Sequence, residues 1–265
     1  LPEGPEVRLF VNKINQNFQG KTIDYVKIES GRYQKKPFDV SVFKNKNLKS
    51  VNCKGKFIWF DFEDVIMFNT LGMTGNWSKN KTKHTRLSFH FSDNESLYFN
   101  DIRNFGTVHV KSNDDLVKKL KSIGPDMLSN PPALKVFTDR LRKHNLKNVC
   151  SVLMNQKVIS GIGNYIKAES LWYSRINPHA TIKDLTDTNI ETLYKAILFV
   201  IRKSYAEQGA SIKDYYTFDQ EQGNAVTGFV VYGRSKDYNG HNVIKEETLD
   251  KRTTHWVKER QTIGV

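Results

Sequence analysis

Residues 146–173, LKNVCSVLMNQKVISGIGNYIKAESLWY, change character twice, and that change decides the fold of the second half of the chain. Leu146, Val149, Cys150 and Leu153 fall on one helical face, VISGIG at 158–163 interrupts the pattern, and helical spacing resumes from Tyr165 to Tyr173. The stretch predicts a helix, a glycine turn and a second helix. Gly161 and Gly163 stand just before Asn164 at the start of that second helix, where exposed backbone amides and the helix dipole attract an anion. No strand precedes the glycines, so the element reads as a phosphate clamp of the helix–turn–helix kind rather than a dinucleotide loop.

Upstream the period is different. Val7, Phe10, Val11, Ile14 and Phe18 predict a first helix that stops before Gly20. Short apolar runs follow at Tyr25–Ile28, Phe57–Phe62, Val65–Phe68, Leu87/Phe89/Phe91, Leu97–Phe99 and Val108–Val110, separated by polar turn clusters, and predict a β-sandwich or barrel beside that helix. Downstream, Leu193, Ile197, Val200 and Ile201 mark a longer helix ending by Gly209, and Phe229–Tyr232 with Thr253–Val257 read as the arms of a β-hairpin. The expected class is α+β in two lobes inviting a groove between them: a helix and β-sandwich domain at 1–115, a linker at 116–135, a helical domain at 136–225 and a hairpin finger at 226–265.

Charge indicates the partner. The 265 residues carry 41 Lys and Arg against 28 Asp and Glu, a formal net charge of +13 that favours a polyanion, nucleic acid first. No stretch is long and apolar enough to span a bilayer, and the opening LPEGPEVRLF lacks a signal pattern, so a soluble intracellular protein without membrane contact is expected. Cys53 and Cys150 lie outside any CxxC spacing, and the seven histidines show no HExxH pattern; no metal or cofactor is expected. GxSxG, Walker and kinase signatures are missing.

What is left as a nucleophile is the amino end. Pro2-Glu3-Gly4-Pro5-Glu6 reads structurally as a proline-initiated helix with acidic residues in its first turn. Chemically it places a secondary amine, once Pro2 is terminal, beside two carboxylates.

PEGPEVR at 2–8 resembles the amino-terminal signature of the formamidopyrimidine-DNA glycosylase and endonuclease VIII family, and PEGPE is similar to the endonuclease VIII branch where the other branch more often reads PELPE. Further matches follow in order along essentially the whole chain: GKF with Lys56, LGMTG at 71–75, NDIRNFG at 100–106, IGPDML at 123–128, NQKVISGIGNYIKAESLW at 155–172, VYGR at 231–234 and RTTHWVKERQ at 252–261. The last match also departs from the family. Zinc-finger cysteines would fall near Tyr238, His241, Val257 and Arg260, none of which can supply a thiolate, so the lobe resembles the zincless finger of vertebrate-type endonuclease VIII-like enzymes, similar proteins also occurring in giant viruses. Trp256, Val257 and Tyr238 would then hold the hairpin by packing.

The resemblance implies a bifunctional DNA glycosylase and AP lyase of base excision repair, a monomer acting on damaged duplex or single-stranded DNA. Pro2 would attack C1′ and form an iminium, Glu3 would shuttle protons to the opening sugar, and Glu6 would stabilise the cation. An α-amino group titrates near about 7.7–8.0, against about 10.4 for lysine, which favours Pro2 over any Lys as the attacking amine. Lys56, counted with the catalytic group, and Asn164 and Arg252 match positions that hold phosphates around the lesion, with Gly161 and Gly163 shaping the clamp; Met73, Arg103 and Phe105 match the trio that fills the void behind a flipped base. A loop from about Tyr215 to Asn224 would cover the lesion pocket. Oxidised pyrimidines such as thymine glycol and 5-hydroxyuracil are the expected substrates, with oxidised purines, or a non-catalytic DNA-binding module, as the alternatives. Nucleus, cytoplasm and viral compartment stay open. A form retaining Leu1 is expected to be inactive, because the Pro2 nitrogen is then an amide.

Overall fold

In the computed structural model residues 2–210, 218 and 228–263 are described, so Leu1 and all of the proposed pocket loop 215–224 except Phe218 lie outside the described residues. The chain divides into two compact units, the first running to Ser122 with a return segment beginning at Gln208, the second comprising Ile123–Glu207 and the C-terminal segment.

In the first unit, α1 (Gly4–Phe18) carries Pro5 in its first turn and buries the stripe Val7, Phe10, Val11, Ile14 and Phe18 that its spacing foretold. Eight strands follow: β1 (Ile23–Ile28), β2 (Ser50–Lys54), β3 (Phe57–Phe62), β4 (Val65–Thr70), β5 (Gly75–Ser78), β6 (Thr85–Phe91), β7 (Ser96–Asp101) and β8 (Thr107–Lys111), with a short helix α2 (Arg32–Lys35) after β1. They form two antiparallel four-stranded sheets, ordered β1-β6-β7-β5 and β2-β3-β4-β8. An aromatic core lies between the sheets. Trp77 of β5 meets Phe60 of β3 at 4.9 Å between ring centroids, and Phe89 of β6 meets Phe62 of β3 at 6.2 Å. The Trp77 indole donates to Asn69 Oδ1 of β4 at 3.0 Å, so the largest buried ring keeps its polar atom satisfied. Helix α1 is fixed to β2 from both ends: Asn15 exchanges two bonds of 2.7 Å with the Val51 backbone, and Arg8 donates to the Cys53 carbonyl at 3.1 Å. The stretch expected as a linker holds the second half of α3 (Asn113–Ser122), whose Leu120 carbonyl accepts from Lys54 Nζ at 2.8 Å.

The second unit contains α4 (Leu134–Arg142), α5 (Val149–Leu153), α6 (Asn164–Tyr173), α7 (Asp187–Ala206) and the hairpin β9 (Ile244–Glu247) with β10 (Thr253–Trp256). Two expectations fail here. Leu146 is not on the face of α5 but precedes it, 79% exposed, because Asn148 caps the helix and its side chain accepts from the N–H groups of Cys150 and Ser151. Nor is 229–232 a hairpin arm. The N–H groups of Val230, Val231 and Tyr232 are taken by the buried Glu169 carboxylate at 2.8–2.9 Å, and β10 pairs instead with the charged run IKEE. No helix among the described residues is long and apolar enough to cross a membrane.

Candidate functional site

The amino end is closely held. Pro2, Glu3 and Glu6 are all buried, Glu3 and Glu6 being 1% exposed, and the Glu3 N–H donates to Glu6 Oε2 at 2.7 Å, turning the N3 side chain back on the helix start. The other oxygen of Glu6 accepts from the Ala210 N–H at 2.7 Å. Glu6 therefore joins the first turn of α1 to the return segment. Gly209 permits this approach: its φ is +86°, and a Cβ there would lie 3.1 Å from Glu6 Cγ.

Lys56 sits in the two-residue turn Gly55-Lys56 that links β2 to β3, whose last pair is Lys54 with Phe57. As α1 runs back from Asn15 to Arg8, β2 runs forward from Val51 to Cys53, so the Lys56 turn points toward the amino-terminal end of α1.

Met73, Arg103 and Phe105 meet. Arg103 Nη1 lies 3.3 Å from Met73 Sδ, its guanidinium is 5.3 Å from the centre of the Phe105 ring, and that ring is 51% exposed. Under this exposed cluster is a buried brace that sequence reading missed. Asp101 accepts from Thr74 Oγ1 at 2.5 Å and from the Gly106 N–H at 2.7 Å, while Thr74 Oγ1 accepts from the Arg103 N–H at 2.9 Å. Arg86 donates to the carbonyls of Asp101 and Ile102, Arg32 to that of Asn104, and Tyr33 to that of Gly106. Burial pushes the Tyr33 hydroxyl up to about 12, so it stays a donor. Gly72 has φ +62°, and a Cβ there would come within 2.7 Å of the Gly106 nitrogen. The two loops thus touch backbone to backbone, which no side-chain pattern announces.

In the second unit Gly161 and Gly163 precede α6 as expected, with Gly163 as its N-cap. Gln156 holds the turn, accepting from the Gly161 N–H at 3.0 Å and donating to the Ile162 carbonyl at 2.9 Å. Asn164 Nδ2 donates to the Thr253 carbonyl at 2.9 Å, which sets the residue next to Arg252 against the start of α6. Arg252 itself is exposed at the end of the loop joining β9 to β10. A buried ion pair fixes that loop. Lys167 Nζ of α6 lies 2.5 Å from Asp250 Oδ2 with side chains 0% and 3% exposed, and Thr248 Oγ1 donates to Asp250 Oδ1 and bonds Thr254 Oγ1. Neither Lys167, Asp250 nor Glu169 carried a signal in the sequence, since each type is usually a solvated residue. Burial raises the Glu169 carboxyl above its ordinary range despite the three N–H donors.

The positions where family cysteines would stand do not fit zinc. Val257 is buried in an apolar cluster with Ala168, Trp172, Val230 and Val231; Arg260 places its guanidinium 3.8 Å from the centre of the Trp172 ring. Tyr238, expected to pack, is 63% exposed, its ring centre 6.5 Å from that of Trp172 in a T-shaped arrangement, and His241 turns toward Asp237. Among the described residues no three His, Cys, Asp or Glu come together as metal ligands.

Comparison with known proteins accords with this architecture. The formamidopyrimidine-DNA glycosylase N-terminal domain matches residues 1–108 and the formamidopyrimidine-DNA glycosylase H2TH domain matches residues 123–215. The chain belongs to the formamidopyrimidine-DNA glycosylase family. Relatives named formamidopyrimidine-DNA glycosylase include those of Halalkalibacterium halodurans, 31% identical over 88% of this chain and 89% of the relative, and Cytobacillus firmus, 30% identical over 89% and 90%. The crystal structure of MutM (Fpg) from Thermus thermophilus superposes with a TM-score of 0.89 at 25% identity, covering both chains fully. A Lactococcus lactis Fpg mutant in complex with Fapy-dG-containing DNA gives 0.88 at 24%, covering 98% of this chain and all of that one, which speaks for the fold alone.

Proposed function

We propose that this protein is a bifunctional DNA glycosylase and AP lyase acting on oxidised bases in damaged DNA. The observation that carries the reading is the meeting of Met73, Arg103 and Phe105 at one exposed, braced tip. An exposed aromatic ring beside a thioether and a guanidinium suits refilling a base stack from which a nucleotide has been turned out.

In this reading the lone pair of a terminal Pro2 forms the bond to C1′ as the glycosidic bond breaks and the base leaves with the electron pair and a proton. Glu3 hands a proton to the ring oxygen as the sugar opens, giving the iminium; loss of a C2′ proton expels the 3′ phosphate, and a second elimination expels the 5′ phosphate. Glu6, bonded to the Glu3 N–H, holds the backbone from which the Glu3 side chain projects, a role additional to countering the cation. Lys56, Asn164 and Arg252 grip phosphates. A polypeptide in which any residue precedes Pro2 has an amide there and cannot form the iminium. Borohydride trapping on damaged duplex is the test: a form beginning at Pro2 should give a covalent adduct, and a form shown by mass spectrometry to retain Leu1 should bind without one. Equal trapping by both would overturn the role of Pro2, and no trapping by the Pro2 form would leave a DNA-binding module without lyase chemistry.

The PEGPE opening and the hairpin without zinc ligands support oxidised pyrimidines as the main substrates. A second reading, oxidised purines, is favoured by the names of the relatives and by the Fapy-dG DNA bound to the Lactococcus protein. Excision rates on thymine glycol, 5-hydroxyuracil and 8-oxoguanine duplexes separate the two.

A further inference from the structure

Helix α6 ends in an unusual way. Ser174 is its C-cap, the Arg175 N–H bonds the Trp172 carbonyl at 3.2 Å, and the Ile176 N–H bonds the Leu171 carbonyl at 3.0 Å, the paired closure of a Schellman motif. In that motif the residue after the C-cap adopts the left-handed conformation and is usually glycine, because a Cβ is strained there. Here it is Arg175, with φ +59°. A non-glycine residue held in this region is a reason to ask what its side chain does.

Arg175 is exposed and, among the described residues, has no hydrogen bond or ion pair from its guanidinium. It lines a cleft of about 390 Å³ together with Ser174, Asn189, Thr192, Arg260 and Thr262, and no lining residue is acidic. Arg260 is held in place, its Nε donating to the Trp172 carbonyl at 3.0 Å and its plane over the Trp172 ring, which leaves its terminal nitrogens without a carboxylate partner among the described residues. Burial and the neighbouring charge of Arg175 both lower the Arg260 pKa from its ordinary value. Asp237, the acid whose charge favours protonated Arg260, is occupied by Trp172, Asn239 and His241. The cleft is at the opposite end of α6 from Asn164, about 15 Å along the axis at about 1.5 Å per residue.

We propose that Arg175 and Arg260 form a second anion site, separate from Asn164 and Arg252, which takes a phosphate group on the N–H edges of the two guanidinium groups with the Thr262 hydroxyl as a further donor. The Arg260 guanidinium is pre-set by its bond to the Trp172 carbonyl and its place over the Trp172 ring, so on binding it is the Arg175 side chain that has to be ordered. The phosphate can come from a free phosphate or phosphomonoester, or from the backbone of a nucleic acid strand.

The test is thermal denaturation of the whole chain in increasing inorganic phosphate, with chloride balancing ionic strength. Phosphate should raise Tm beyond the chloride control, and Arg175→Gly should lower the apparent phosphate affinity by about tenfold or more. Arg175→Gly removes the backbone strain, so it should fold at least as well as the parent without phosphate. Arg252→Ala should keep the phosphate response. A parallel titration with a short undamaged oligonucleotide distinguishes the sources: stabilisation lost in Arg175→Gly with the oligonucleotide assigns a phosphodiester, and with phosphate alone a free phosphate. The proposal is overturned if the parent and Arg175→Gly are stabilised equally by phosphate and by the oligonucleotide, if neither ligand stabilises the parent, or if Arg252→Ala alone abolishes the effect.

Discussion

The carboxylate of Asp101 and the hydroxyl of Thr74 lie 2.5 Å apart, both buried, and through them the loop bearing Met73 is tied to the loop bearing Arg103 and Phe105. The same carboxylate takes the Gly106 N–H, so one acidic side chain sets the spacing of two tips. Asp101→Asn keeps the volume but turns an NH₂ group toward one of two donors. The expected outcome is a loss of about 1–3 kcal/mol in stability, read from the urea midpoint. Excision should fall further than stability explains, because the tips no longer hold register.

Met73→Ala and Phe105→Ala leave the core intact, since Phe105 is half exposed and Met73 only partly covered. Excision of a damaged base from duplex DNA should drop more than cleavage at a preformed abasic site, where no stacked base has to be extracted. Single-turnover rates on the two substrates provide the check; equal losses would assign both side chains to folding.

Arg252→Ala should weaken DNA binding and flatten its salt dependence by about one phosphate contact while Tm stays near that of the parent. The loop holding Arg252 is fixed by Lys167 and Asp250, not by Arg252 itself. Fluorescence anisotropy at several salt concentrations measures both affinity and slope.

His255 supplies a pH test. Its ring is buried against Tyr232, its Nδ1 has no partner, and burial, with Lys245 and Lys167 adding, pushes its pKa from 6.5 to about 4. The folded-state pKa lies below the unfolded one, so the unfolded chain binds the extra proton first and stability falls as pH drops from about 6.5 to about 4. The group accounts for at most about 3 kcal/mol of that fall. His255→Phe should flatten the dependence of the urea midpoint on pH across this window.

Much of the molecule is written in periodicity. The stripe Val7 to Phe18 and the strand Phe57–Phe62 are visible because burial on one side repeats at the spacing of the element. Strands β2 (SVNCK) and β5 (GNWS) are not, since each is short and carries few apolar residues. Phe229–Tyr232 reads as a strand by composition, yet its amides serve Glu169 rather than a neighbouring chain. Of the site, Met73, Arg103 and Phe105 are legible only through family motifs, because loop tips have no period. Asp101, Glu169, Lys167 and Asp250 escape because a charged residue gives no sign in sequence that it will be enclosed and paired across many residues.

The enclosed pair of Lys167 and Asp250 also restricts how this chain can drift. Loss of either partner strands a charge in a dry interior and should cost about 3–5 kcal/mol, whereas exchanging both for well-fitting apolar side chains is close to neutral. Descendants of this sequence must therefore alter positions 167 and 250 together or leave both alone. Across an alignment the two should vary as a linked couple, a mark of ancestry written in the attachment of the finger rather than in its chemistry.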